Sequence, residues 1–249
     1  MTAKIETITG ELKRFFDSEF QENGFMIVYG SYAYGVNTSS SDLDFVTIAR
    51  KVKPGNLQRT LDFAFDLYRK HGLALDNEVP HEKKLLADYK TLESAIRGGG
   101  FERRDGSIYV PKIVKTPEFL SSDEIAMRLL LNAMTSKNIL VGGDQKHYSR
   151  KRNEALENMV AFIFSATNRN SFTIPEFTQA LISAPERQGE MYLGYKNKPA
   201  IREYLAKTFA RVFEELSKRN LLKNGDGRFY LNDPQWIEKC IKDVPTNDS

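Results

Sequence analysis

The sequence predicts an α/β fold, α+β in its ordering: a small mixed sheet in the first half, then a mostly helical second half. Three observations predict it. A short apolar run, Phe25 to Tyr29, is broken by Gly30-Ser31; after a loop rich in Gly, Asn, Ser and Thr, the chain enters a second alternating segment, Leu43 to Ile48. Amphipathic helical patterns flank these two strands. From Lys115-Thr116-Pro117 onward the pattern is helical and closes on a glycine-centred hairpin. The expected division is residues 1–117 for the first domain and 118–249 for a helical substrate or lid domain, winged-helix-like from about residue 171.

Taken in order, residues 8–22 place Leu12, Phe15, Phe16 and Phe20 at helical spacing, and Asn23-Gly24 offers a left-handed stop. The apolar run that follows reads as a buried strand. In the next strand Asp42 and Asp44 are two residues apart and point the same way, roughly 6.5–7 Å apart at the backbone. That separation lets both carboxylates converge on a metal pair about 3.5–4 Å apart. Attack on the α-phosphorus of a nucleoside triphosphate builds negative charge on the attacking, bridging and leaving oxygens. Carboxylate-held Mg²⁺ ions neutralise such charge, and magnesium completes its shell with water and phosphate oxygens. Gly30 lets the backbone approach phosphates closely, and the Ser31 amide and hydroxyl can donate to them.

This stretch, Gly30-Ser31 followed by Gly35, Ser41 and Asp42-Leu43-Asp44, resembles the signature of the nucleotidyltransferase superfamily related to DNA polymerase beta. The match is nearest in motif to the antibiotic-modifying (aminoglycoside- and lincosamide-type) and minimal nucleotidyltransferases, and it covers roughly the first half of the chain. The resemblance implies that Asp42 and Asp44 hold two Mg²⁺ ions and that Gly30, Ser31 and Ser41 bind the nucleotide. It also implies a third carboxylate from a neighbouring strand. Leu73 to Val79 reads as that strand, stopped by Pro80, and Asp76 and Glu78 alternate on one face. Both stay candidates for completing the site and acting as base, with Asp76 preferred as the metal ligand.

Between these strands, residues 57–70 form an amphipathic helix with Leu57, Leu61, Phe65 and Tyr68 on a face, closed by His71-Gly72. Glu82 to Ile96 reads as one helix ending at Arg97-Gly98-Gly99-Gly100, a turn or hinge. Asp105-Gly106 marks a hairpin. Ser121-Ser122-Asp123-Glu124 starts a helix apolar nearly all round, expected to lie buried between the two halves. Lys137 beyond it either reaches a triphosphate or complements the helix end. The basic run Lys146 to Arg152 reads as a solvated face or a phosphate contact, and residues 154–167 as another apolar helix. Tyr29, Tyr32 and Tyr34 pack the motif or stack on a base. Helices from Phe172 and Ala200, then a hairpin from Leu221 to Leu231, resemble a winged helix-turn-helix.

Composition sets the outer limits. The chain has 249 residues, 41% hydrophobic, with a net charge of +3. That charge suits an anionic small ligand but is too thin for a dedicated nucleic-acid surface. A single cysteine, Cys240, excludes an internal disulfide. His71, His81 and His147 lack zinc-ligand spacing. With no signal sequence or membrane-spanning run, a cytoplasmic protein is expected. The expected activity is Mg²⁺-dependent transfer of a nucleoside monophosphate from a triphosphate, ATP as first choice. The acceptor is a hydroxyl or similar group of a small molecule, and pyrophosphate leaves. The alternatives are an RNA or protein acceptor, as in toxin–antitoxin nucleotidyltransferases, or a winged-helix regulator that senses nucleotide and binds DNA. The sequence is silent on oligomeric state.

Overall fold

The computed structural model describes residues 2–75, 81–104, 107–109, 123–183 and 197–242. Helix α1 (Thr2–Glu19) leads into β1 (Gly24–Tyr29), the short α2 (Gly30–Tyr34) and β2 (Asp44–Ala49). Then come α3 (Asn56–His71), α4 (His81–Lys84), β3 (Leu86–Asp88), α5 (Tyr89–Ile96) and the hairpin β4 (Glu102–Arg104) and β5 (Ser107–Tyr109). The second half holds α6 (Asp123–Thr135), β6 (Ile139–Gly143) and α7 (Gln145–Thr167). It ends with β7 (Ser171–Phe172), α8 (Ile174–Ser183), α9 (Pro199–Lys218), β8 (Leu222–Gly225), β9 (Arg228–Leu231) and α10 (Pro234–Cys240).

The central sheet has the order β3-β2-β1-β6. β1 is antiparallel to both β2 and β6, and β3 runs parallel to β2, which makes the sheet mixed. Side chains alternate along a strand, so both faces of β1 are covered. Met26 and Val28 meet Ile8, Leu12, Phe16 and Phe20 of α1 together with Ala64, Leu67 and Tyr68 of α3. Phe25, Ile27 and Tyr29 face the opposite layer, with Leu92 and Ile96 of α5, Leu130, Leu131 and Met134 of α6 and Met159 and Phe162 of α7.

Several sequence expectations are corrected. α1 ends at Glu19, earlier than expected, and the chain takes positive φ first at Gln21 (55°) and again at the expected Gly24 (139°). Residues 30–34 form a helical turn where a loop was expected. α3 buries Thr60, Ala64, Leu67 and Tyr68, leaving Leu57 and Phe65 exposed, so its inner face is rotated from the expected stripe. The expected helix from Glu82 to Ile96 is interrupted by β3, because Thr47 N–H donates to Leu85 O (2.9 Å) and Leu86–Asp88 add to β2. The glycine-rich turn after α5 is present as expected, and it makes a close crossing: a Cβ on Gly100 would stand 2.6 Å from Arg128 Cγ.

β6 lies beyond the expected boundary near residue 117 yet pairs with β1, so the sheet draws on both sides of it. The boundary residues 115–117, the helix start at 121–122 and the hairpin turn Asp105-Gly106 lie outside the described residues. The expected hairpin strands on either side of that turn are paired. Further on, β7, β9 and β8 form a three-stranded sheet in that order, with α8 and α9 between β7 and β8. This is the connectivity of a winged helix. No helix among the described residues is long and apolar enough to cross a membrane.

The junction of β3 and α5 is held by a cap. Asp88 Oδ1 accepts from Thr91 N and Thr91 Oγ1, both at 2.7 Å. Burial pushes the Asp88 carboxyl up, but the Thr91 hydrogen bonds and the Lys90 charge outweigh it and hold it below its ordinary value. A carboxyl lowered in the folded state stabilises above its unfolded pKa, and the contribution is lost as pH falls through the folded value. Asp88→Ala is therefore expected to cost about 1 kcal/mol near neutral pH. The difference from wild type should shrink in acid denaturation series run below about pH 4.

Candidate active site

The site is assembled where β1 ends. Tyr29 pairs with Asp44 across the β1–β2 ladder, which sets Asp44 beside Gly30, the first residue of α2. Gly30 has φ +67°, and a Cβ built on it would stand 1.9 Å from Asp44 Oδ2 and 2.8 Å from Asp44 Cγ. The Asp44 carboxylate thus lies directly over the Gly30 backbone, in space that any side chain at position 30 would fill. Ser31 comes next. Its Oγ is buried and has no hydrogen-bond partner among the described residues. A buried hydroxyl without a partner is costly, and here it lies one residue from the glycine under Asp44.

α2 closes with Gly35 N–H donating to Tyr32 O and Val36 N–H donating to Ser31 O. The loop beyond is tied by Ser41, whose hydroxyl accepts from Thr38 N (2.9 Å) while its own N–H donates to Thr38 O (3.2 Å). Ser41 therefore shapes the loop that delivers Asp42. Asp42 bridges Ala74 in parallel, and Tyr68 of α3 donates its hydroxyl to Leu43 O (3.2 Å), fixing the backbone between the two aspartates. By strand alternation Asp42 and Asp44 share a side with Val46 and Ile48. That side is covered further along by α5, α6 and α7. The carboxylates consequently face the layer to which the second half of the chain belongs.

The second half reaches the motif at two points. Lys137 N–H donates to the Tyr34 hydroxyl (3.2 Å), and the Tyr204 ring of α9 meets the Tyr34 ring edge-on at 5.5 Å. Burial raises the Tyr34 phenol to about 12. Arg152 of α7 knits this junction, donating to Ser136 O (2.9 Å), Tyr148 Oη (3.2 Å) and the Tyr204 hydroxyl. The Lys137 side chain itself is exposed. Tyr29 and Tyr32 are buried, 5% and 8% exposed, and Tyr34 is engaged by its hydroxyl, so all three pack the motif. Burial pushes the Tyr32 phenol up, and the neighbouring Asp42 charge adds to the shift.

Asp76 and Glu78, the candidates for a third carboxylate, lie outside the described residues. The described chain leads up to them through Ala74, already bridged to Asp42. Among the described residues no group of three His, Cys, Asp or Glu side chains gathers at one point. A residue the sequence did not single out is Lys84, whose Nζ lies 3.9 Å from Asp42 Oδ2. The only signal for it was its place just after the third-carboxylate segment, before the apolar pair Leu85-Leu86.

The basic run at 146–152 is split: Lys146 and Arg150 are exposed, as a solvated face requires, Arg152 is half-buried and Lys151 is internal. Lys151 is buried and paired with Glu93 and, at 2.7 Å, Glu154, while His147 stacks on Tyr89 at 4.2 Å. An open cavity of about 810 Å³ lined by Arg169, Glu176 and Arg228 belongs to the winged region and contains no motif residue.

The donor set suits a hard divalent cation: two carboxylates on one strand face, an unpartnered buried hydroxyl, and a glycine cradle beside them. Residues 10–103 match the nucleotidyltransferase domain family, so the chain carries a nucleotidyltransferase domain of the polymerase-beta-like superfamily and is a nucleotidyltransferase enzyme. A solved crystal structure of a toxin–antitoxin with AMP-PNP is similar over 64% of this chain and 92% of that one, with 12% identity and a TM-score of 0.37. No curated protein matches the sequence.

Proposed function

We propose that the enzyme transfers a nucleoside monophosphate from a nucleoside triphosphate, ATP as first choice, to a hydroxyl of a small-molecule acceptor, with Mg²⁺ as cofactor and pyrophosphate as product. The observation that carries this reading is the Asp44 carboxylate lying over Gly30, one residue from the unpartnered Ser31 hydroxyl. Asp42 and Asp44 would hold Mg²⁺, which when bound supplies charge neutralisation at the reacting phosphate. Asp76, with Glu78 as the alternative, is proposed as the remaining carboxylate and as base toward the acceptor, since the chain passes Asp42 at Ala74 just before it. Gly30 and Ser31 receive the triphosphate. Ser41 keeps the loop in register, and Lys137, exposed on a loop and donating its backbone N–H to the Tyr34 hydroxyl of α2, is proposed as a further contact to the triphosphate.

A small acceptor fits the charge pattern better than duplex DNA. In a winged helix the helix before the wing reads DNA. Here that helix, α9, sets Arg202, Lys207, Arg211 and Lys218 against Glu203, Glu214 and Glu215, and Lys207 and Lys218 are paired to Glu203 and Glu215, so little free positive charge remains for phosphates. The turn of the wing carries Asp226.

Calorimetry with each of four nucleoside triphosphates, with and without Mg²⁺, tests the reading. The wild type should bind one of them in a Mg²⁺-dependent manner. The Asp42→Ala/Asp44→Ala variant should lose that binding by at least about 100-fold, in line with loss of a metal's charge-assisted contacts. Metal-independent binding of equal strength in both proteins would refute it. Pyrophosphate release on adding hydroxyl-bearing small molecules, total RNA or unfolded protein then sorts the acceptor class.

A further inference from the structure

Lys84 closes α4 and is 8% exposed. Lysine is seldom this buried without a partner, and Asp42 Oδ2 stands 3.9 Å from its Nζ. The backbone around it is fixed from both sides. Leu85 N–H donates to His81 O (3.0 Å), Leu85 O accepts from Thr47 N–H (2.9 Å), and the next three residues are β3, paired with β2. The ammonium is thereby held against the strand pair that carries the aspartates. The Asp42 side chain keeps 26% exposure, so its carboxylate has a buried cation behind it and an open approach.

We propose that Lys84 is a positioning residue of the metal site. Its ammonium holds and partly neutralises Asp42 before any divalent ion arrives. It thereby weakens capture of the free ion and favours arrival of the ion together with the polyanionic triphosphate. The physical basis is the sign of the charges. A fixed cation beside a ligand carboxylate repels a second cation but attracts a triphosphate. The proposal rests on the reading of Asp42 as a metal ligand.

The sign gives the test. In Lys84→Met, free Mn²⁺ followed by electron paramagnetic resonance should bind roughly tenfold tighter than in wild type, while Mg²⁺-dependent ATP binding by calorimetry should weaken roughly tenfold. Lys84→Arg should restore both toward wild type. A merely structural lysine would move both in the same direction, and that result, or no change in either, overturns the proposal. Should Lys84→Met fail to fold, Asp42→Asn is added. Recovery of folding in the double variant supports an unpaired Asp42 charge as the fault, and failure to recover overturns the proposal. If neither wild type with ATP nor Lys84→Met alone binds Mn²⁺ in a manner that Asp42→Ala/Asp44→Ala abolishes, the metal-site reading falls and this inference with it. If ATP-dependent Mn²⁺ binding is present in wild type and lost in Asp42→Ala/Asp44→Ala, but Lys84→Met changes neither it nor free-ion binding, only this inference falls.

Discussion

Gly30→Ala is expected to abolish Mg²⁺-dependent nucleotide binding and to destabilise the fold. Two costs coincide at this position. The backbone stands at φ +67°, where an L side chain pays about 1 kcal/mol or more relative to glycine. The new methyl would also begin 1.9 Å from Asp44 Oδ2. The Asp44 backbone cannot retreat, because it is paired with Tyr29 at the head of a ladder running six residues to Gly24–Ala49. The carboxylate must therefore rotate away from the strand face it shares with Asp42, or α2 must move and carry Ser31 with it. Either movement dismantles the donor set.

Gly35 provides the control. It also has positive φ, +75°, but a Cβ there would meet nothing within 4 Å. Gly35→Ala should lose about 1 kcal/mol of stability and retain nucleotide binding. Calorimetric titration and thermal melts of the two variants side by side check the expectation. Gly30→Ala binding the nucleotide as wild type does would show that the approach of Asp44 to Gly30 is irrelevant to the site.

That stretch was legible in the sequence because its signals are local. An apolar run, a glycine that must turn, and aspartates at alternate positions speak for themselves within twenty residues. Placement of the partners was not legible, because it depends on pairing across the chain. Leu85 to Asp88 sits among strong helix formers, and only the hydrogen bonds offered by β2 turn it into a strand. Ile139 to Gly143 reads as the glycine-rich end of a helix, and only the free edge of β1 makes it β6. The inner face of α3 was misjudged because Leu57 and Phe65 are apolar yet exposed, while Asn56 and Thr60 are buried by hydrogen bonds to Glu19 and to the helix's own backbone. Lys84 and Lys151 show the same limit for charge. A lysine in sequence reads as solvated until a carboxylate from another element, Asp42 or Glu93, is brought beside it.

Phe213→Ala is expected to lower the melting temperature of the whole chain in a single transition. Phe213 is fully buried on α9, and its ring contacts Phe164 of α7, Phe177 of α8 and Phe229 of β9 at 6.2, 4.9 and 5.0 Å. Removing such a ring costs about 3–5 kcal/mol, from lost burial and the cavity left behind. For a chain of this size that is a fall on the order of 10 °C. The continuity of the core makes the transition single. The buried cluster that holds Phe213 also holds Phe25 and Ile27 of β1 and Val46 and Ile48 of β2, joined through the long α7. Two transitions in a calorimetric scan, with only one displaced by the variant, would show that the winged region melts independently of the sheet. A shared transition has a consequence for the enzyme. The aspartates face the layer that α7 and α9 help to build, and Tyr204 of α9 touches Tyr34 at the end of the motif helix. Damage at Phe213 should therefore reach acceptor turnover well below the melting temperature, while the Mg²⁺-dependent triphosphate binding proposed for β1, α2 and β2 should stay closer to wild type.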